Sequence, residues 1–210
     1  MMRVTHRDGA ILGIFLVINY IIPKNEMTII KAVTLTAGSI LGGYICDIDE
    51  PKSYISRKLY FLLWPFYLIR SLMNILAMLP SPFKRILTYV CKILRHKGIT
   101  HTPLFWGIGD FIYVLVIKSY IITFIVAKFS NYSVAEQCLQ LSTNFWYGFM
   151  TGIITHMILD FISEGVMLFF PFSIKKCKLT LVKTGSSLEI IVHIAIILTN
   201  LYLFKIYIAA

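Results

Sequence analysis

Acidic residues are scarce in this chain: its 210 residues include ten Asp and Glu, against twenty Lys and Arg. Charged residues of both signs make up 14% of the chain, whereas hydrophobic residues make up 58%. A soluble domain usually has about 25% charged residues. A helix that crosses a membrane needs about 20 apolar residues, and several windows meet that requirement. The composition therefore excludes a soluble protein and indicates one membrane-embedded domain over residues 1–210.

Other patterns are absent as well, and each absence excludes a class of protein. The four cysteines contain no C-x-x-C pair, so no disulfide framework is predicted. The net charge of +10 comes without an aromatic-rich groove, so we expect anionic lipid headgroups rather than nucleic acid as partners. No internal repeat is visible, which disfavours a carrier built from inverted repeats. Nothing in the pattern indicates an oligomeric state.

Six apolar segments are separated by polar or turn-forming stretches, at residues 9–22, 27–46, 59–79, 103–127, 143–170 and 188–207. The third contains Pro65 and Arg70, which break its apolar pattern and argue against a full crossing. If the other five cross, most Lys and Arg residues lie on one side, which the positive-inside bias makes cytoplasmic. We therefore expect an all-α, polytopic membrane protein with about five spanning helices plus one re-entrant or interfacial helical segment.

Histidines and aspartates fall where this topology brings them to the cytoplasmic side. Asp47 and Asp49 lie two residues apart at the end of the second segment, and His156 and Asp160 share a helix face at i, i+4. Imidazole and carboxylate together suit zinc, manganese or iron. One zinc uses three or four ligands, and the candidates outnumber that, so a two-metal site is also possible. The converging residues are His6, Asp47, Asp49, His96, His101, His156 and Asp160. His193 lies apart, and we interpret it and Glu189 as a structural pair.

Other interpretations of the same residues stay open. His156, Asp160 and Asp110 could form a relay in a transporter or ion-conducting protein, because intramembrane ionisable residues often mark such paths. A metal could also pin the helices of a non-catalytic membrane protein, since structural and catalytic sites use the same ligands. Taken alone, His156 and Asp160 are explained equally well as a buried hydrogen-bonded pair.

Three stretches in order, DIDEPKS, HKGITHT and GIITHMILDF, resemble the YdjM-type family. These are bacterial inner-membrane proteins described as LexA-binding or, by inference, as metal-dependent hydrolases. The family pattern is an early histidine, a P-D-I-D-H-like turn, an H-R-G-x-T-H-S loop and a late H-x-x-x-D on a membrane helix. The resemblance covers most of the chain, from residue 6 to about residue 172.

The resemblance implies a divalent transition metal, with zinc ahead of manganese or iron, held by the seven residues named above. The family is grouped with zinc-dependent phospholipases and nucleases. The resemblance therefore implies hydrolysis of a phosphoester in an amphiphilic or phosphate-bearing substrate, with membrane lipid as partner. Glu50 stands where the family usually has histidine, and Lys97 replaces an arginine that could bind phosphate with two hydrogen bonds. Glu50 and Asp49 are the carboxylates predicted to act in catalysis. The expected location is the bacterial inner membrane, with the site facing the cytoplasm.

Overall fold

The computed structural model describes residues 3–78, 82, 84–94, 97–129 and 132–209. These residues are mostly helical, and the described part contains no β-strand beyond an isolated bridge between Val166 and Cys177. The helices are α1 (Arg3–Tyr20), α2 (Ile29–Ile45), α3 (Tyr54–Lys58), α4 (Tyr60–Met78), α5 (Lys84–Ile93), α6 (Pro103–Ile112), α7 (Lys118–Phe129), α8 (Tyr132–Ser163) and α9 (Ser187–Ala209). Short 3-10 turns occupy Lys24–Glu26, Cys46–Asp49 and Ile99–His101, and a π-helical stretch, Tyr113–Ile117, joins α6 to α7.

Helices α2 and α8 run parallel with their backbones in contact, and we call this contact the glycine seam. A Cβ atom on Gly42 would overlap the carbonyl oxygen of Phe149, and one on Gly152 would overlap the carbonyl oxygen of Ser39. Close approach of this kind needs small residues at the interface of membrane helices. The glycines of the seam are Gly38, Gly42, Gly148 and Gly152. The seam therefore fixes the relative height of the two helices along their axes.

Helix α1 packs antiparallel against both partners of the seam. The Ser39 hydroxyl donates to the carbonyl of Ala10 at 2.8 Å, and a Cβ on Gly13 would overlap the Thr155 side chain. Helix α9 packs on α1, where His193 Nε2 lies 2.7 Å from Asp8 Oδ2. The predicted pairing of His193 with Glu189 is therefore wrong, because the helix packing directs that imidazole to a carboxylate of α1.

Helices α6 and α7 form, with α8, an antiparallel hairpin. The Thr102 hydroxyl caps α6 by accepting from the Phe105 amide at 3.2 Å, and Pro103 follows at the first helical position, as its fixed φ favours. Trp146 Nε1 donates to Asp110 Oδ1 at 2.7 Å. The N-terminal end of α6 thus lies at the same end of the bundle as the C-terminal ends of α2 and α8.

Helices α4 and α5 pack on each other, and none of the α4 residues is buried. The Tyr67 hydroxyl donates to the carbonyl of Ile48 at 2.8 Å, and Arg70 Nη1 donates to the carbonyl of Asp49 at 2.6 Å. These contacts place the middle of α4 beside the end of α2.

Five helices are long and apolar enough to cross a membrane: Ile29–Asp49, Tyr60–Met78, Pro103–Lys128, Tyr132–Ser163 and Ser187–Ile208. The predicted all-α fold with about five spans is confirmed. The set differs from the predicted one, because α4 meets the criterion of length and composition and α1, which carries Arg3, Arg7 and Asp8, does not.

Two segment predictions need correction. Helix α4 continues through Pro65, which does not break it. Helix α8 begins 11 residues before the predicted position, because polar side chains in its first turns conceal the helix from a hydropathy pattern. It ends at Ser163, before the predicted end at residue 170.

Candidate metal centre

The candidate centre lies where α2 and α8 end and α1 and α6 begin. After Ile45 the α2 helix tightens into the 3-10 turn Cys46–Asp49, which brings both aspartates to the end of the bundle. The turn Ile99–His101 precedes α6. The glycine seam holds α8 at a height that places His156 beside Gly43, near the end of α2.

Three donor atoms form a nearly equilateral triangle. His101 Nε2 and His156 Nε2 are 3.3 Å apart, and Asp160 Oδ2 lies 3.2 Å from the first and 3.4 Å from the second. Asp47 Oδ1 lies 3.6 Å from His101 Nε2 and 3.7 Å from His156 Nε2. We call these four residues the donor cluster.

The donor cluster fits a tetrahedral zinc ion. Zinc binds imidazole nitrogen and carboxylate oxygen at about 2.0–2.1 Å, so neighbouring ligand atoms of a regular tetrahedron lie about 3.3–3.4 Å apart. The sides of the triangle match that spacing. Asp160 Oδ2 is also buried and has no hydrogen-bond partner among the described residues, which is costly unless a cation or proton lies beside it.

Neighbouring groups orient both imidazoles toward the cluster. His156 Nδ1 lies 2.7 Å from the Gly43 carbonyl, to which it donates, so the neutral ring presents the lone pair of Nε2. The Thr100 hydroxyl donates to Asp49 Oδ2 at 2.7 Å and lies 3.1 Å from His101 Nδ1. That nitrogen must then donate to Thr100, which leaves His101 Nε2 for the cluster. Support of this kind behind a ligating histidine is typical of metal sites.

His6 lies against the cluster. Its ring stacks on that of His156 with centroids 4.0 Å apart, and its Nε2 is 3.5 Å from Asp160 Oδ1. The Nδ1 atom is buried without a hydrogen-bond partner in the part of the chain that the structure describes. Burial lowers the pKa of His6 well below its ordinary value, and the neighbouring His156 lowers it further, so the ring is neutral.

Lys97 supplies a buried positive charge beside the cluster. Its Nζ lies 2.6 Å from Asp160 Oδ1 and 3.1 Å from Glu164 Oε2. Burial alone would lower the pKa of Lys97, but the charge of Asp160 outweighs burial and raises it, so the ammonium group stays charged. Glu164 also accepts from Thr184 at 2.5 Å. Lys97 thus joins the end of α8 to the loop before α6.

The ring of His101 responds to the same carboxylates. Burial would lower its pKa, but the nearby carboxylates of Asp160 and Asp47 outweigh burial and raise the pKa to about 9. The carboxylates thus favour positive charge at the position of His101. A proton and a bound cation would compete for this place.

A cavity of about 250 Å³ opens beside the cluster. Asp47, whose side chain is 23% exposed, faces it together with His6 and Lys97. The other walls carry Glu50 and two exposed cations, Lys52 and Arg57. The site therefore has one side open to an incoming molecule.

The structure brings most of the predicted site residues together. His6, Asp47, His101, His156 and Asp160 form two groups of possible metal donors, which share His156. Glu50 lies in the wall of the cavity. His96 lies outside the described residues.

Asp49 is placed differently from Asp47. Its Oδ2 lies 3.8 Å from His101 Nδ1, behind the ring, and accepts from Thr100. This geometry suits a carboxylate that orients a ligand. The predicted roles of Asp49 as a ligand and in catalysis stay predictions.

Two residues that the sequence reasoning missed contact the site. The Thr100 contact depends on the loop conformation, and no sequence pattern indicated it. Glu164 follows Asp160 at i, i+4, and this spacing could have indicated that both face the same loop. Lys97 was noted only for the change from arginine, whereas its contact with Asp160 needed the three-dimensional structure.

No curated protein and no solved structure is significantly similar to the chain. A family model described as YdjM inner membrane protein matches residues 1–209, which include every residue of the candidate centre. That description agrees with the five helices that are long and apolar enough to span a membrane. The chain therefore belongs to the YdjM inner membrane protein family.

Proposed function

We propose that the protein is a membrane-bound, metal-dependent hydrolase that cleaves a phosphoester of a lipid or lipid-linked substrate at the cytoplasmic leaflet. The observation that carries the proposal is the triangle of His101, His156 and Asp160 donor atoms, with 3.2–3.4 Å sides, at the edge of an open cavity. A divalent ion held there would polarise a phosphoryl oxygen and activate water for attack.

The residues of the chain then divide the remaining tasks. His101, His156 and Asp160 would hold the ion, and Asp47 would be a fourth ligand, on the side of the cavity, that water or substrate can displace. Thr100 and the Gly43 carbonyl keep the two imidazoles in the required orientation. Glu50, which lines the cavity, would accept a proton from water.

Positive charge around the cavity supports a phosphate-bearing substrate. Residues 51–109 contain nine Lys and Arg and no Asp or Glu. Two of these cations, Lys52 and Arg57, line the cavity and could bind the phosphate of the substrate. Trp64, on the exposed helix α4, is 48% exposed and offers an apolar surface for a lipid tail.

The alternatives have less support. The proposed relay required Asp110 to work with His156 and Asp160, but Asp110 Oδ1 accepts from Trp146 on the side of α8 that faces α6. A purely structural metal has every coordination position closed by protein. In the donor cluster, Asp47 Oδ1 lies farther from the two imidazoles than Asp160 Oδ2 does and faces the open cavity, so its position on the ion is the one that water or substrate could take.

The test is hydrolysis by detergent-purified protein, stripped with a chelator and reloaded with zinc, manganese or iron. The substrates are a lipid phosphomonoester, a lipid phosphodiester and a polyprenyl diphosphate. We expect metal-dependent release of the head group, and a loss of about 100-fold or more in Asp47→Ala and His156→Ala, because a ligand should matter at least as much as the groups that orient it. Hydrolysis that is equal in the parent and both variants would contradict the proposal.

A further inference from the structure

The donor cluster is flanked by a lysine whose position limits how many ions the centre can take. We propose, resting on the metal-dependent function above, that the centre holds a single metal ion and that the Lys97 ammonium group occupies the place of a second cation beside Asp160. The inference concerns the described residues and their contacts.

The two possible donor groups cannot both be filled. One consists of His6, His156 and Asp160, and the other of Asp47, His101 and His156. Both need a nitrogen of His156, whose Nδ1 donates to the Gly43 carbonyl at 2.7 Å. Only Nε2 is left, and it belongs to the triangle with His101 Nε2 and Asp160 Oδ2.

A second ion would then have to bind between His6 and the other oxygen of Asp160. That oxygen, Oδ1, is 3.5 Å from His6 Nε2 but only 2.6 Å from Lys97 Nζ. A divalent ion at Oδ1 would meet the ammonium group at close range, and the two positive charges would repel each other. Lys97 therefore blocks the place that a second ion needs.

Lys97 cannot readily move away. Its side chain is 5% exposed, and its ammonium group also binds Glu164 Oε2 at 3.1 Å. The backbone of Lys97 has φ of 57°, a left-handed conformation that non-glycine residues rarely adopt. The loop before α6 is thus held in a strained form that keeps the ammonium group between two carboxylates.

The experiment measures zinc bound per chain in the full-length, detergent-purified protein. The protein is loaded with excess zinc, freed of loosely bound ion and analysed by elemental mass spectrometry, with cobalt absorption spectra as a second readout. We expect one ion per chain in the parent and a second, weaker ion in Lys97→Met, because that change removes the ammonium group from Asp160 Oδ1. The cobalt spectrum of the parent should saturate at one equivalent.

Two variants control for charge and folding. Lys97→Arg keeps the positive charge and should stay at one ion, and Lys52→Met removes an exposed cation of the same cavity without touching Asp160. Lys52→Met should also stay at one ion. If Lys97→Met does not fold, Lys97→Gln in the same assay replaces it, with the same expectation of a second ion.

Two ions per chain in the parent, or one ion in a folded Lys97→Met or Lys97→Gln variant, would overturn the inference. A second ion in the parent that disappears in His96→Ala would overturn it too, and would identify the missing ligand. Failure of the proposed function looks different: the parent would bind one ion and hydrolyse none of the three substrates. Hydrolysis by a parent protein that binds two ions would support the proposed function and contradict the single-ion centre.

Discussion

The glycine seam differs in its packing from helices α4 and α5, which pack on each other and which we call the hairpin from here on. In the seam, two helix backbones touch, and a Cβ atom at Gly42 or Gly152 would overlap a carbonyl oxygen of the other helix. In the hairpin, no residue of α4 is buried, and Tyr67 and Arg70 reach the rest of the molecule through single hydrogen bonds. The seam leaves no room to shift, whereas α4 has no buried residue to hold it at one height.

This difference would suit the two demands on the proposed membrane hydrolase. A metal centre needs donor atoms held within a fraction of an ångström, and rigid helices that support one another supply that precision. An amphiphilic substrate varies in its tail and needs an accommodating apolar surface. His156 lies on α8 and Asp47 in the turn directly after α2, the two helices of the seam, whereas Trp64 lies on α4 in the hairpin.

A side chain inside the seam should have the largest effect. Gly42→Val places a branched side chain against the Phe149 backbone, which cannot move aside as a flexible side chain could. We expect a loss of about 3 kcal/mol or more of stability, or failure to fold, and loss of metal binding. Thermal unfolding and zinc content of the purified variant measure both effects.

Gly107→Ala is the matched control, because in the described part of the chain no atom outside its own helix turn lies within 4 Å of the position of its Cβ. Alanine is the better helix former, so this variant should be as stable as the parent or slightly more so. Normal stability in Gly42→Val would show that the seam does not set the spacing of the site.

A change of pH should affect the stability of the metal-free protein and that of the zinc-loaded protein in opposite directions. In the metal-free protein the pKa of His101 is raised to about 9, above the value of about 6.5 in the unfolded chain. Protonation of His101 therefore stabilises the metal-free protein fully below about pH 6.5, and this stabilisation is lost as the pH rises through about 9. Zinc needs the deprotonated ring, so zinc affinity should rise up to tenfold per pH unit toward pH 9. Melting temperatures of both forms at several pH values test the opposite trends.

The smallest effect is expected where the hairpin meets the centre. Arg70→Ala removes the hydrogen bond to the Asp49 carbonyl and should cost about 1 kcal/mol, with zinc content unchanged. If the proposed function is right, turnover of lipid substrates should fall more than turnover of a soluble phosphate ester, because the hairpin would then hold the tail and not the ion. Equal losses on both substrates would contradict this division of tasks.

Much of the fold was predictable because the membrane imposes it. Long apolar runs marked α2, α4, α9 and the α6–α7 span. Gly38 and Gly42 on α2 have the four-residue spacing of small residues that is typical of close packing with a partner helix. Gly148 and Gly152 repeat the same four-residue spacing on α8 and could have identified that partner. Helix α5 was missed because its basic face hides the apolar one, and polar residues hid the beginning of α8.

Most residues of the candidate site could be predicted from the sequence, but their arrangement in space could not. The order of the motifs placed His6, Asp47, His101, His156 and Asp160 at one end of the bundle, where the structure brings them together. The motifs could not distinguish Asp47, beside the open cavity, from Asp49, behind the His101 ring. Nor could they show that Lys97 binds Asp160, since that contact joins a loop to a helix 63 residues away.

The most direct measurement is the zinc content of detergent-purified protein after loading and removal of loosely bound ion. It compares the parent with His156→Ala and with His193→Ala, whose imidazole faces Asp8 outside the cluster. The parent and His193→Ala should each retain zinc stoichiometrically, and His156→Ala should retain none. A parent without zinc, or a His156→Ala variant that keeps it, would contradict a metal centre at the end of the glycine seam.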